Sequence, residues 1–260
     1  MKAKSSSARV AMITRVRASV LYARFSAHRV RMRITVGCLA IGDAYRKNTA
    51  PCIESHVAYC RDNGYMYVTD DSVYDASRPP SWSKLLLAKK YLPTCDYFMW
   101  VDADTIITNN DARIEDFIGL MGDRPLLIGR DFNDLNCGVI IMRNTPDVFA
   151  FLDRVWARTE YIHDTWWENR AIVKIYTEDV AVRDMVRVIP TEHVYLLNAY
   201  HHNHSDASLL IHFAGVGATR IQPEVQRFKH MANRRNRAAF ESKLRDLQSG
   251  DRLTGTYNGA

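Results

Sequence analysis

The 260-residue sequence predicts a single α/β domain built on a mostly parallel sheet flanked by helices. Three observations predict it. From Arg33 onward, short apolar runs alternate with amphipathic segments carrying cap signals, the pattern of strand–helix–strand units. The central run Tyr97-Phe-Met-Trp-Val101 is apolar at every position, as a parallel strand covered on both faces requires. Hydrophobic residues make up 47% of the chain, enough for one sizeable core, and no repeat or low-complexity linker interrupts residues 34–248.

In chain order, residues 33–42 (RITVGCLAIG) read as a first buried strand ending in Gly42. Residues 48–64 read as a helix with Thr49 at the N-cap, Pro51 in the first turn and Asn63-Gly64 as the stop. A short strand follows at 65–70, then a helix over 81–92 (SWSKLLLAKKYL) ended by Pro93. Beyond the strand at 97–101, PLLIGRD (125–131) and CGVIIMRN (137–144) are further strand candidates. Thr145, Pro146 and the apolar positions 148, 149, 152, 155 and 156 predict an amphipathic helix over 145–161. VRVIP (186–190) and SLLIHFAG (208–215) are late strands, and 223–248 reads as one charged C-terminal helix.

The net charge of +6 belongs to one end of the chain: residues 1–33 hold nine Lys or Arg and no acid, leaving 26 basic against 29 acidic residues in the rest. A mildly acidic body argues against a nucleic-acid partner. The expected organisation is a basic N-terminal extension (1–33), a domain over 34–248 and a C-terminal tail (249–260). The extension is Arg-rich and acid-free like an organelle transit peptide, but Arg15, Arg17, Arg24 and Arg29 break its apolar stretches, so it fits neither a secretory h-region nor a membrane span. Five scattered cysteines (Cys38, Cys52, Cys60, Cys95 and Cys137) contain no CxxC pair and disfavour both a disulfide framework and a structural zinc site. The expectation is a cytoplasmic protein, with organelle targeting or Golgi association without its own anchor as the alternatives.

The chemistry concentrates where the apolar strand ends, in Asp102-Ala-Asp104. Ligand crevices of open α/β sheets lie beyond the carboxyl ends of strands, and residues two apart in extended chain face one side. Two carboxylates so placed repel unless a cation lies between them. Hard oxygen donors suit Mg²⁺ or Mn²⁺, which complete their shell with substrate phosphates. Alternatively, one Asp caps the following turn and the other is solvated.

The segments WSKLLLAKKYLPTCDYFMWVDADTIITN, LNCGVIIMRN, WWENRAIV, LNAY and IHFAGV, in this order and approximate spacing, resemble glycosyltransferase family 34, which includes fungal α-mannosyl- and α-galactosyltransferases and plant xyloglucan xylosyltransferases. The resemblance implies a GT-A fold and a UDP- or GDP-linked sugar donor. It also implies Mn²⁺ (or Mg²⁺) as cofactor, and retaining transfer that forms an α-glycosidic bond to an oligosaccharide, polysaccharide or glycoprotein acceptor. By the same resemblance, Asp102, Asp104 and His212 are the metal ligands, while Glu168 and Asn169 flank the transferred sugar as the catalytic pair.

Each assignment has a plainer reading beside it. His212 lies in the apolar run Leu209–Phe213, where a lone histidine is usually a hydrogen-bonded core residue, yet a neutral imidazole can also join two carboxylates on Mn²⁺. Asn136 offers an amide suited to sugar hydroxyls, or simple turn chemistry beside Gly138. Lys84 is a solvated helix charge or a partner of the donor phosphates. Trp82, Trp166 and Trp167 are core residues or stacking platforms, with Trp167 assigned to the substrate. The cluster His201-His202-Asn203-His204 lacks the one-face spacing of a preformed metal site. Two positions depart from the family: Asn169 replaces its Gln, and Val216 replaces its Cys. The competing functions are a GT-A transferase of another family, a nucleotidyltransferase using the same clamp, or a non-catalytic carbohydrate-binding protein. Against the nucleotidyltransferase, IGDAYRKN has one glycine where a Gly-rich basic loop belongs.

Overall fold

The computed structural model describes residues 32–217 and 220–249. The extension expected over 1–33, but for its last two residues, and the tail after Ser249 lie outside the described residues.

The chain starts with β1 (Ile34–Gly37), α1 (Asp43–Asn63), β2 (Met66–Val68), α2 (Ser83–Tyr91), β3 (Tyr97–Val101) and β4 (Thr105–Ile107). It continues through α3 (Ile114–Met121), β5 (Leu126–Asp131), β6 (Asp134–Arg143), α4 (Pro146–Trp156), α5 (Trp167–Glu178) and α6 (Val180–Met185). The described part ends with β7 (Val186–Ile189), β8 (Ala199–Tyr200), β9 (Leu210–His212), α7 (Ile221–Phe228) and α8 (Arg237–Ser249). The main sheet has the order β2-β1-β3-β6-β5-β7, and a small sheet has the order β4-β9-β8.

Strands β1, β2 and β3 run parallel, as do β5 and β7, whereas β6 is antiparallel to both β3 and β5. The two-residue link Phe132-Asn133 joins β5 to β6, and a link that short can only make a hairpin. Side chains alternate across the sheet. Met99 and Val101 of β3 join Val139 and Ile141 of β6 in one core with Tyr59 of α1 and Phe117 of α3. Phe98 and Trp100 join Ile140 and Met142 in the opposite core with Leu87 of α2 and Leu152 of α4. The result is three layers, helix on sheet on helix.

Several sequence boundaries shift for local reasons. The first strand ends at Gly37: Cys38 still donates its N–H to Val68 (3.1 Å), and residues 38–40 then run as buried loop. Helix α1 begins at Asp43, so Pro51 lies in its interior, and Thr49 donates its hydroxyl to the Tyr45 carbonyl (2.8 Å) instead of capping. Its stop is as expected: Gly64 takes the left-handed conformation (φ 71°). Thr145 precedes α4 in extended conformation but makes no side-chain cap bond, and the helix ends at Trp156. The C-terminal helix is two helices. Asn233 (φ 52°) donates its N–H to Ile107 (2.8 Å) and Asn110 donates to Arg234 (2.6 Å), so pairing against the stretch after β4 replaces helical bonds there. No helix among the described residues is long and apolar enough to cross a membrane.

One interior contact steers the site from behind. His56 of α1 is buried, and its Nε2 lies 2.8 Å from both the carbonyl and the hydroxyl oxygen of Thr105, while that hydroxyl donates to the Asp102 carbonyl (2.8 Å). Burial depresses the imidazole from 6.5 to about 4, against the opposing pull of the Thr105 carbonyl. Between these values the unfolded chain binds a proton that the folded one does not, so this contribution is intact at neutral pH and lost as pH falls through the window. It amounts to about 3 kcal/mol. Urea unfolding at pH 7 and pH 4 should therefore show wild type losing about 3 kcal/mol more than His56→Gln, which does not titrate. Equal losses would mean that His56 is protonated in the fold.

Candidate active site

Strand β3 delivers the acidic pair. Its ladder with β6 continues one residue past Val101, where Asp102 donates its N–H to Gly138 (2.8 Å), and then the chain turns into β4. Register does the rest: Thr105 pairs with His212 across β4 and β9, and Phe213 donates its N–H to the Asp104 carbonyl (2.9 Å). The imidazole therefore reaches back over the acidic turn. His212 Nε2 lies 3.4 Å from Asp104 Oδ1 and 3.8 Å from Asp102 Oδ2. Among the described residues, these three form the one group whose ligand atoms, all within 4.8 Å of one another, could hold a metal ion.

The donor set fits a divalent cation of the Mn²⁺ or Mg²⁺ kind, two carboxylate oxygens and one imidazole nitrogen. Electrostatics agree. Burial raises the Asp102 carboxyl, a rise that Lys84 only partly offsets and Asp104 reinforces. For Asp104, burial is outweighed by His212, which holds the carboxyl below its ordinary value. Burial opposes charge on His212 as well, but the facing carboxylates, Asp104 foremost, hold the ring above its ordinary value. A positive charge is wanted at Nε2, whether it comes as a proton or as a metal.

Lys84, expected near donor phosphates, is instead 3% exposed on α2. Its Nζ reaches Glu168 Oε1 (2.8 Å), Asp102 Oδ1 (3.1 Å) and the Cys137 carbonyl (3.2 Å). Burial opposes its charge, yet the two carboxylates hold it well above the ordinary lysine range. Asp102 Oδ1 also accepts from Trp100 Nε1 (2.6 Å), so one oxygen is committed to the protein while Oδ2 faces the cation position. Glu168, 3% exposed, keeps Oε2 without a partner. Asn169 accepts from the Cys137 N–H (2.8 Å) and donates to the Leu135 carbonyl (3.0 Å), clipping α5 to the start of β6. Trp167 opens α5 with φ 48° and is 45% exposed, the backbone strain that collects at working sites.

All eight residues singled out in the sequence, Lys84, Asp102, Asp104, Asn136, Trp167, Glu168, Asn169 and His212, line one cavity of about 450 Å³. Trp82, by contrast, is wholly buried against Trp156. His202 stacks on Tyr200 (centroids 5.5 Å apart), so the histidine-rich loop contributes an aromatic face. Sequence reasoning missed Asp131, Asn198 and Tyr200. Asn198 and Tyr200 stand in the LNAY segment, which carried no assigned role, and Asp131 closes the strand before the hairpin.

The chain is 24% identical over 115 residues to probable glycosyltransferase 7 of Oryza sativa, in both the indica and japonica subspecies, an alignment covering 40% of this chain. It spans about a quarter of the length of those curated relatives. A solved glycosyltransferase involved in the glycosylation of the major capsid of PBCV-1 superposes with a TM-score of 0.57 at 19% identity, covering 75% of this chain and 99% of that one. That likeness shows the GT-A fold. A family model matches residues 42–123 and 121–221, together most of the domain from α1 to the start of α7 and including the eight residues singled out in the sequence. The chain belongs to the galactosyl transferase GMA12/MNN10 family.

Proposed function

We propose that the protein is a metal-dependent retaining glycosyltransferase that moves a sugar from a UDP- or GDP-linked donor to a hydroxyl of an acceptor glycan, forming an α-glycosidic bond. The observation that carries this reading is the Asp102–Asp104–His212 cluster, set in a cavity with Glu168 and Trp167. Bound Mn²⁺ or Mg²⁺ would offset the charge that grows on the departing diphosphate. Asp102 and Asp104 would hold it by one oxygen each, and His212 by Nε2.

Lys84 holds Asp102 and Glu168 in place and balances their charge, so donor phosphates are neutralised by the cation site rather than by this buried ammonium. The free Oε2 of Glu168 accepts a sugar hydroxyl and supports positive charge developing at the ring. Asn169 acts through the backbone of Leu135 and Cys137, shaping the wall rather than contacting the sugar. At the rim, Trp167 and Phe132, 45% and 71% exposed, offer faces on which a sugar ring can stack. The ion pair with Lys84 weakens Glu168 as a nucleophile and favours attack from the same face.

A melting screen of UDP- and GDP-sugars with Mn²⁺ tests the reading. A donor at 100 times its dissociation constant adds about 2.7 kcal/mol of stability. One donor class should raise the melting temperature only when Mn²⁺ is present. A panel in which no donor shifts the melt, with or without metal, would sink the proposal.

A further inference from the structure

His212 can offer Nε2 to a cation only if its own proton sits on Nδ1. We propose that a hydrogen-bonded relay, Asp131–Asn136–Asn198, sets that tautomer, with Asp131 as its anchor and Asn198 as the positioning residue. The inference rests on the metal-clamp reading above.

Polarity runs one way along the relay. Asp131, 7% exposed, accepts from the Asn133 N–H at Oδ1 (2.6 Å), and at Oδ2 from Asn136 Nδ2 (2.8 Å) and the Tyr200 hydroxyl (2.7 Å). A carboxylate with three donors around it can only accept, so the Asn136 side that faces it must be the amine. The Asn136 carbonyl then points the other way, where it accepts from the Gly138 N–H (2.9 Å) and from Asn198 Nδ2 (3.0 Å). Flipping Asn136 would set its carbonyl against Asp131 and its amine against the Gly138 N–H. With its amine spent on Asn136, Asn198 turns its carbonyl oxygen to His212 Nδ1 (3.1 Å). A carbonyl accepts, so Nδ1 carries the hydrogen and Nε2 is bare toward the carboxylates.

Both ends of the relay are anchored outside the metal group: Asp131 on the hairpin end, Asn198 (3% exposed) on the loop into β8. Tyr200 closes the frame by stacking its ring on the imidazole, 6° from parallel with centroids 6.3 Å apart, while its hydroxyl ties to Asp131. Groups behind a histidine ligand typically control metal affinity by 10–100-fold.

Two measurements test the relay. In ¹⁵N-histidine spectra of the metal-free protein in alkaline solution, with the His212 signals assigned through His212→Gln, Nδ1 should be protonated and Nε2 bare. A wild-type spectrum with the hydrogen on Nε2 would overturn the proposal, whatever the variants do. Free Mn²⁺ counted by electron paramagnetic resonance should show binding to Asn198→Leu weakened about 10–100-fold. Asn198→Asp, which keeps an acceptor on Nδ1, should recover about ten-fold of that loss. An Asn198→Leu protein that binds Mn²⁺ as tightly as wild type, even if it melts earlier, would show a merely structural asparagine. Wild type that binds no Mn²⁺ would defeat the metal clamp instead, while the spectrum still reads the relay.

Discussion

Gly138→Ala is expected to abolish most metal-dependent activity while leaving the sheet folded. A Cβ built at this position falls 2.2 Å from His212 Cε1 and 2.7 Å from Nδ1, distances at which the ring must move. Moving is costly, since the imidazole is 4% exposed, Tyr200 lies parallel to it, and Nδ1 is engaged by Asn198. The backbone itself accepts alanine, because Gly138 lies outside the positive-φ region. The methyl group therefore acts on His212 and not on the strand, with an overpacking cost of about 1–3 kcal/mol. Displacing Nε2 from the carboxylates should lower the rate by roughly 10²–10³, the scale for losing one electrostatic contributor, and raise the Mn²⁺ concentration needed for half-maximal rate. Gly119→Ala in α3 is the control, since nothing lies within 4 Å of its added carbon. Rates and metal titrations on the two variants check the claim, and a folded Gly138→Ala enzyme with a normal metal requirement would refute it.

Asp104→Ala should cost a similar factor, roughly 10²–10³ in rate, with loss of Mn²⁺-dependent donor binding and little change in melting temperature. It is a cleaner probe than Asp102. The Asp104 side chain faces His212, and its contribution to the strand pairing, the carbonyl that accepts from Phe213, survives the substitution. Removing Asp102 would also strip an acceptor from Trp100 Nε1 and leave Lys84 with one carboxylate fewer, so stability and chemistry would fall together. Unchanged activity in a folded Asp104→Ala protein would remove the acidic pair from the mechanism.

The parts of the site written locally were legible in the sequence. Asp102 and Asp104 announce themselves because two acids close an apolar run, and β3 spans 97–101 as that run implies. The α/β alternation is equally local, being carried by periodicity and by stops such as Gly64. What the sequence hid is set by tertiary partners. The antiparallel β6 depends on a hairpin whose link, Phe132-Asn133, lacks glycine, and the broken C-terminal helix depends on pairing with residues 107–110. Helix α5 went unread because its start carries a positive φ at Trp167, a conformation no propensity forecasts. Likewise, Asn136 and Asn169 look like sugar-binding amides in sequence, yet their hydrogen-bonding groups are taken by partners 2 to 64 residues away. Lys84 resembles a solvated or phosphate-binding lysine until the fold brings Glu168 beside it.

The metal clamp is tested most directly by anomalous diffraction from crystals soaked in Mn²⁺. The structure predicts one strong peak between β3 and β9, roughly 2.0–2.3 Å from a carboxylate oxygen of Asp102, one of Asp104 and Nε2 of His212. A map with no peak there, or with the manganese on the histidine-rich loop at 201–204 instead, would contradict it.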